Sequence, residues 1–420
     1  KGQYFEWPQL TDLFPIALNG AQFKRTWPIG ETAEVLLDRW RHLVGAPASQ
    51  RKALFRETEG WKITKKIKED LPGKGEPSIF EATSETAPPR AIDYSFRSYD
   101  RRKAFYDFRL GDRLRPDLFS IHGNKQVFLT TLMTNALAEG QAIMAAAHIP
   151  DLHHFRGSFG GKDVVPIYRD AAGRKGNLTS GLLDRLAAAY GFDVSVEDFA
   201  AYVYALLGGQ SYTARFWNEL ETPGPRVPLT KVGATFSKTV ALGRRLIWLH
   251  TYAEKFRGKG RGDRIPTGAA KCITAVSSTS EGYPEDFAYN VDTCEVRLGD
   301  GRVVPVTPEI WEFEVSGLKV VQSWLGYRMK VRTGKKSSPL DEIRPKRWTA
   351  RMTDELLELI WVLEATLAME PELSAALDAV VGSKCFGTSE LPSSVAAERK
   401  PSRSKVGPGG LLALMETGKA

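Results

Sequence analysis

The sequence runs to 420 residues, 42% hydrophobic and 26% charged, with a formal net charge of +8. That length carries two or three domains with real cores, and the positive excess argues for an acidic partner only where it is clustered. Cys272, Cys294 and Cys385 are too few and too scattered for a disulfide framework or a cysteine-based zinc site. No apolar run approaches the roughly 20 residues that cross a bilayer, and the opening KGQYFEWPQL lacks the apolar core of a signal peptide, so a reducing cytoplasm is the expected compartment. Lys1 in first position suggests a processed or partial product, with domains upstream.

Residues 1–90 are punctuated by Trp7-Pro8, Phe14-Pro15 and Trp27-Pro28, which forbid a continuous helix and predict a wrapping, connecting segment. Helices are expected at 31–44 and 49–71. The second presents Lys62, Lys65, Lys66 and Lys68, a basic face that reads either as solubility or as contact with backbone phosphates. Between 94 and 125, Arg97, Arg101, Arg102, Lys103, Arg109, Arg113, Arg115 and Lys125 interleave with Tyr94, Phe96, Tyr99, Phe105, Tyr106, Phe108 and Phe119. Arginine and lysine attract phosphates, and an arginine fork also reads guanine edges, so this stretch reads as a nucleic-acid surface. Asp100, Asp107, Asp112 and Asp117 keep open the alternative of an ion-paired face over a β-rich core.

Strands are expected at 126–132 and 164–168, with a tight turn at Phe159-Gly160-Gly161-Lys162. Helices follow: one capped by Ser180 and stopped by Gly191, one over 199–207 behind the capping box of Ser195 and Asp198, and one over 237–256. Residues 255–271 hold six basic side chains and one acid among glycines, a clamping loop or a linker. A hairpin turning at Gly299-Asp300-Gly301, a strand at 311–315 and a helix at 318–329 come next. Residues 328–351 form a second basic concentration, either solvated surface or a phosphate-tracking loop, and a helix over 354–369 is expected to stop at Pro371. From 383 onward serine, proline, glycine and lysine predict a disordered tail.

The pattern predicts a mixed α+β fold: a strand-rich recognition domain braced by helices, a smaller α/β unit and a C-terminal helix. The expected boundaries are a connecting segment at 1–90, a central domain at 91–257, a second unit at 258–382 and a tail at 383–420. Candidate DNA contacts are Arg97, Tyr99, Arg101, Arg102, Lys103, Arg109, Arg113, Arg115 and Lys125, then Arg328, Lys330, Arg332, Lys335, Lys336, Lys346 and Arg347.

The residues Arg97, Tyr99, Asp100, Arg102, Tyr106, Asp107, Arg113, Arg115 and Pro116 resemble an arginine/aromatic-aspartate signature, a tyrosine-rich strand and an arginine-proline step of Type ISP restriction-modification enzymes. Ser98 stands where that family usually has proline, so a looser turn is expected there. In matching order follow PDLH at 150–153, FAAYVYALL at 199–207, PRVPL at 225–229, LGRRLIWLH at 242–250 and WEFEVSGLKVVQSWLGYR at 311–328. The opening WPQLTDLFPIALNGAQFKRTWPIG resembles the segment that leaves the methyltransferase domain of such enzymes. The resemblance implies the C-terminal target-recognition region, which reads double-stranded DNA for an adenine-N6 methyltransferase in a restriction-modification or phage-defence system. It also implies upstream parts for S-adenosylmethionine-dependent methylation, ATP-driven translocation and cleavage.

No catalytic or cofactor fingerprint belongs to the chain itself: the paired Pro88-Pro89 is followed by Arg90, not by the aromatic residue of an amino-methyltransferase loop, and there is no Walker A run or G-x-S-x-G elbow. No cofactor is therefore expected in this chain. Two other functions are weighed: a metal-dependent hydrolase at His148, Asp151, His153 and His154, and a structural coupler between methyltransferase and translocase built on the three amphipathic helices.

Overall fold

The computed structural model describes residues 2–156, 163–258, 262–330 and 338–401. The fold is mixed α+β, built on antiparallel sheets. Strand Asp100–Phe105 lies between Ile29–Gly30 and Ala91–Arg97 in one sheet, and Leu18–Asn19, Asp163–Pro166, Phe128–Thr131 and Met144–Ala146 form a second in that order. A third sheet places Lys271–Thr274, Gly301–Val304, Glu295–Leu298 and Phe287–Asn290 side by side, with the expected hairpin joining Leu298 to Gly301. Bridges from Ser95 to Pro150 and from Ala21 to Asp151 tie the first sheet to the chain leaving the second.

Helices cover the second sheet. Val196–Leu207 begins at Ser195, whose hydroxyl accepts the Asp198 amide as the capping pattern requires, and every residue from Phe199 to Leu207 is buried. Gly233–His250 crosses it so closely that a side chain at Gly243 would run into the Ala201 carbonyl. The long helix Ala350–Val381 packs on both. One apolar cluster fills the space between this helical layer and the sheet, a second lies around Phe23, Tyr94, Tyr106 and Phe119, and a third around Trp27, Trp40 and Phe55. The opening residues enter all three: Tyr4, Trp7 and Phe14 the first, Phe23 and Ile29 the second, Trp27 the third.

Several elements differ from the sequence expectation. The helix expected at 49–71 ends at Phe55, where Arg56 turns left-handed at φ 58°. Beyond it Ile63 packs beside Phe55 while its amide donates to the Glu57 carboxylate, a spacing and a bond no helix allows. Pro371 does not stop the last helix, which runs on to Val381. A mid-helix proline costs about 3 kcal/mol, but Leu373, Leu377 and Val380 beyond it are buried, each at about 1.5–3 kcal/mol, which outweighs that cost. Of the strand expected at 311–315, Trp311 ends a helical turn over Pro308–Trp311 and only Glu314–Val315 is extended, paired with Leu318–Lys319. Residues 383–401, expected to begin a disordered tail, return across the surface: Phe386 is buried, Thr388 donates to the Glu6 carbonyl, and the Ser180 amide donates to Glu398. The Phe159 to Lys162 step lies outside the described residues.

Candidate nucleic-acid interface

Strands Ala91–Arg97 and Asp100–Phe105 carry the arginine-rich signature, and most of its arginines point inward. Arg97 donates to Asp151 at 2.7 Å and to its own neighbour's carbonyl at Phe96. Asp151 also accepts from Tyr94 and from the His153 amide. Arg102 donates to Asp100 at 3.0 Å, and Arg328, 228 residues later, reaches the other oxygen of that carboxylate at 2.9 Å. Glu31 lies 3.6 Å from both Arg102 and Arg344. Burial opposes ionisation of Glu31, yet Arg102, Arg39, Arg328 and Arg344 together hold its carboxyl down to about 2. Arg97 stacks on Phe96 at 3.9 Å, and Arg102 sits over Phe96 and Tyr327.

This network places five of the expected DNA contacts inside the protein. Arg97, Arg102, Arg109 and Arg328 are buried ion-pair partners, Arg109 gripping Asp107 at 2.6 Å, because a guanidinium taken from water needs a carboxylate beside it. Tyr99 is buried as well: it turns the hairpin at φ 64° and hydrogen-bonds His250. The turn is not loose. The Ser98 amide donates to the His154 carbonyl at 2.7 Å, and its hydroxyl bonds the His154 and Phe155 carbonyls.

Arg101 and Lys103 face a cleft of about 440 Å³ lined also by Asp93, Glu254, Asp354, Glu355 and Glu358. Arg101 pairs with Glu358 at 2.6 Å and stacks on Tyr252, and Lys103 pairs with Asp93 at 2.5 Å. Arg102, Arg351, His148 and Glu31 complete the lining, so the cations of this cleft already stand among carboxylates. Lys125, Lys330, Lys346 and Arg347 are exposed, with Lys330 3.4 Å from Glu285. Arg332, Lys335 and Lys336 lie outside the described residues.

Arg113 and Arg115 line another cleft, of about 490 Å³. Its opposite wall is the irregular chain after Phe55, which brings Lys65, Lys66 and Lys68 to the same opening, with Trp61 and Phe108 in the lining. The acids of the lining are Glu69 and Asp112, Asp112 is already held by Lys24 at 3.0 Å and by Thr58, and Lys66 pairs with Glu81 at 2.9 Å. The Lys65 ammonium rests 2.8 Å from the centre of the Trp61 ring, and burial lowers its pKa. Burial, then repulsion from Arg113, also lowers that of Arg115. An anion beside Arg115 would relieve both causes, and cations spaced along one opening suit a polyanion. Sequence reading missed Lys65, Lys66 and Lys68 as site residues. Their signal was the basic face, but only the fold places it opposite Arg113 and Arg115.

The hydrolase and coupler readings are not favoured. His148 pairs with Glu254, Asp151 with Arg97 and Tyr94, and His154 with Thr130, so three of the four candidate ligands serve separate partners. Among the described residues no group of three or more His, Cys, Asp or Glu is placed to hold a metal ion. The helical stripes proposed for coupling pack on one another inside this chain. Among the described residues no helix is long and apolar enough to cross a membrane.

The family described as the Type ISP C-terminal specificity domain matches residues 12–359. No curated protein matches the sequence. In structure the chain is similar to DrdV in a DrdV–DNA complex, with a TM-score of 0.61 at 18% identity over 89% of this chain and 38% of that one. It is similar to a nuclease-deletion mutant of the Type ISP restriction-modification enzyme LlaGI in complex with a DNA substrate mimic: TM-score 0.55, 16% identity, 89% of this chain and 29% of that one. A third similar structure is the ATP-dependent Type ISP restriction-modification enzyme LlaBIII bound to DNA: TM-score 0.60, 16% identity, 89% and 24%. The chain thus spans well under half the length of these proteins, and at such identities the likeness is one of fold.

Proposed function

The chain belongs to the Type ISP C-terminal specificity domain family, and from that premise we propose that it is the DNA target-recognition module of a restriction-modification enzyme, with the basic cleft as its grip on the duplex. The observation that carries this reading is the meeting of Lys65, Lys66 and Lys68 with Arg113 and Arg115 across one opening. Phosphate contacts there fix the register of the duplex, and base edges are read by side chains presented beside it. In this reading the module supplies a target sequence to an adenine-N6 methyltransferase that uses S-adenosylmethionine. ATP-driven translocase and nuclease parts act on the same target, in the cytoplasm and against phage DNA. Exposed Lys125, Lys346 and Arg347 extend the grip along the backbone.

The test is selection of duplexes from a randomised pool by the purified chain at two salt concentrations, followed by titration of the enriched duplex. A motif that persists at the higher salt is expected. Arg113→Glu combined with Lys66→Glu should weaken binding to every sequence and flatten the salt dependence, by about 0.9 in log–log slope for each phosphate left without its cation. Unchanged affinity in that variant would remove the cleft from the interface, and binding with no motif at either salt would overturn sequence recognition by this chain.

A further inference from the structure

On another part of the surface lies a groove of about 700 Å³ whose chemistry is opposite to that of the DNA cleft. Glu139, Glu309, Glu312 and Glu314 line it. The lysine of the lining, Lys319, is already neutralised by Glu312 at 3.0 Å and Glu314 at 2.8 Å. Beside these carboxylates stands Trp217, 49% exposed, an unusual position for the largest apolar side chain. The walls are well fixed: the Ser316 amide donates to the Glu139 carbonyl at 2.8 Å, Gly140 bridges to Val315, and the Thr213 hydroxyl donates to the Gly140 carbonyl.

We propose that this groove docks a basic protein segment, one that sets an aliphatic side chain against Trp217 while its lysine or arginine groups meet the glutamates. Charge complementarity selects this occupant. DNA and anionic lipid are repelled by the carboxylates, whereas a cationic stem covers an indole face and delivers its charge to the rim. Complementary charge steers association and the buried aromatic supplies most of the affinity. The groove thereby gives the molecule a protein-binding face separate from its DNA face.

The probe is a fluorescein-labelled, amidated Lys-Leu-Lys-Arg-Leu-Lys peptide titrated into the whole chain and followed by anisotropy. Binding is expected to weaken about tenfold or more in Trp217→Ala, the loss typical of an interface anchor. It should become less salt-dependent in the Glu309→Gln, Glu312→Gln double variant. Affinity for duplex DNA, measured on the same variants, should not move, which keeps a failure of this proposal distinct from a failure of DNA recognition. A peptide with glutamates in place of its basic residues that bound equally well would overturn the proposal. So would peptide binding indifferent to Trp217→Ala, or a concentration-dependent dimer abolished by that substitution, which would assign the groove to a second copy of the chain.

Discussion

The carboxylate of Asp100 holds Arg102 and Arg328 on its two oxygens, with all three side chains removed from solvent. Asp100→Asn keeps the shape but removes the carboxylate bonded to both guanidinium groups and leaves Glu31, 3.6 Å from Arg102, as the nearby counter-charge; removing one partner of a buried pair costs about 3–5 kcal/mol. Equilibrium urea unfolding should show that loss, while DNA affinity per folded molecule stays the same. Arg113→Ala is the converse: the side chain is 63% exposed and 4.0 Å from Asp112, so stability should change by less than about 0.5 kcal/mol while affinity for DNA falls. A matching fall in stability for Arg113→Ala would place it in the framework with Arg102. The sequence shows both arginines as equals in one basic stretch. Nothing local separates them, because the residue that makes Arg102 structural, Arg328, comes from the far end of the chain, and what makes Arg113 available is a loop some fifty residues before it.

Elements were legible where their causes are local. Ser195 with Asp198, Gly191 as a left-handed stop at φ 78°, and the Gly299 to Gly301 turn each fix a boundary through bonds within a few residues. Where the cause is tertiary, local signals mislead: Pro371 is overridden by burial, and the lysine-rich run after Phe55 gives up its helix so that Ile63 can reach the third cluster. The crossing of helices Val196–Leu207 and Gly233–His250 belongs to the same class. Gly243 looks like a weak point in a helix but is what lets the backbones touch at Ala201. Gly243→Ala raises helix propensity by about 1 kcal/mol and still should destabilise the protein, because the methyl group forces the pair apart at a cost of about 1–3 kcal/mol or more. A higher urea midpoint in Gly243→Ala would mean that the crossing has room to spare.

Across the whole molecule, charge is sorted by face and by depth. The basic cleft, the acid-rich cleft at Arg101 and the glutamate groove occupy different openings, so a net charge of +8 says little about any one of them. Composition could not show this sorting, since it depends on which irregular segments the core draws together. Inside, three histidines are kept neutral: burial holds His250 and His154 down to about 3, Arg97 adding to the effect at His154, and burial with His148 and Lys255 nearby holds His122 well below its ordinary value. Each takes up a proton near pH 6.5 only when the chain unfolds. Stability is therefore full above that pH and declines as pH falls towards about 3, by about 1.4 kcal/mol per pH unit for each of His250 and His154, with His122 acting in the same direction. Glu31 adds to the decline between its unfolded value of 4.5 and its folded value of about 2, because protonating it removes the counter-charge of buried arginines. Thermal midpoints measured from pH 8 to pH 4 should accordingly stay level down to about pH 6.5 and then drop with growing steepness. A level profile through pH 5 would mean that these imidazoles take up protons in the folded state and that the hydrogen bonds of His250 to Tyr204 and Thr366 do not seal it from solvent.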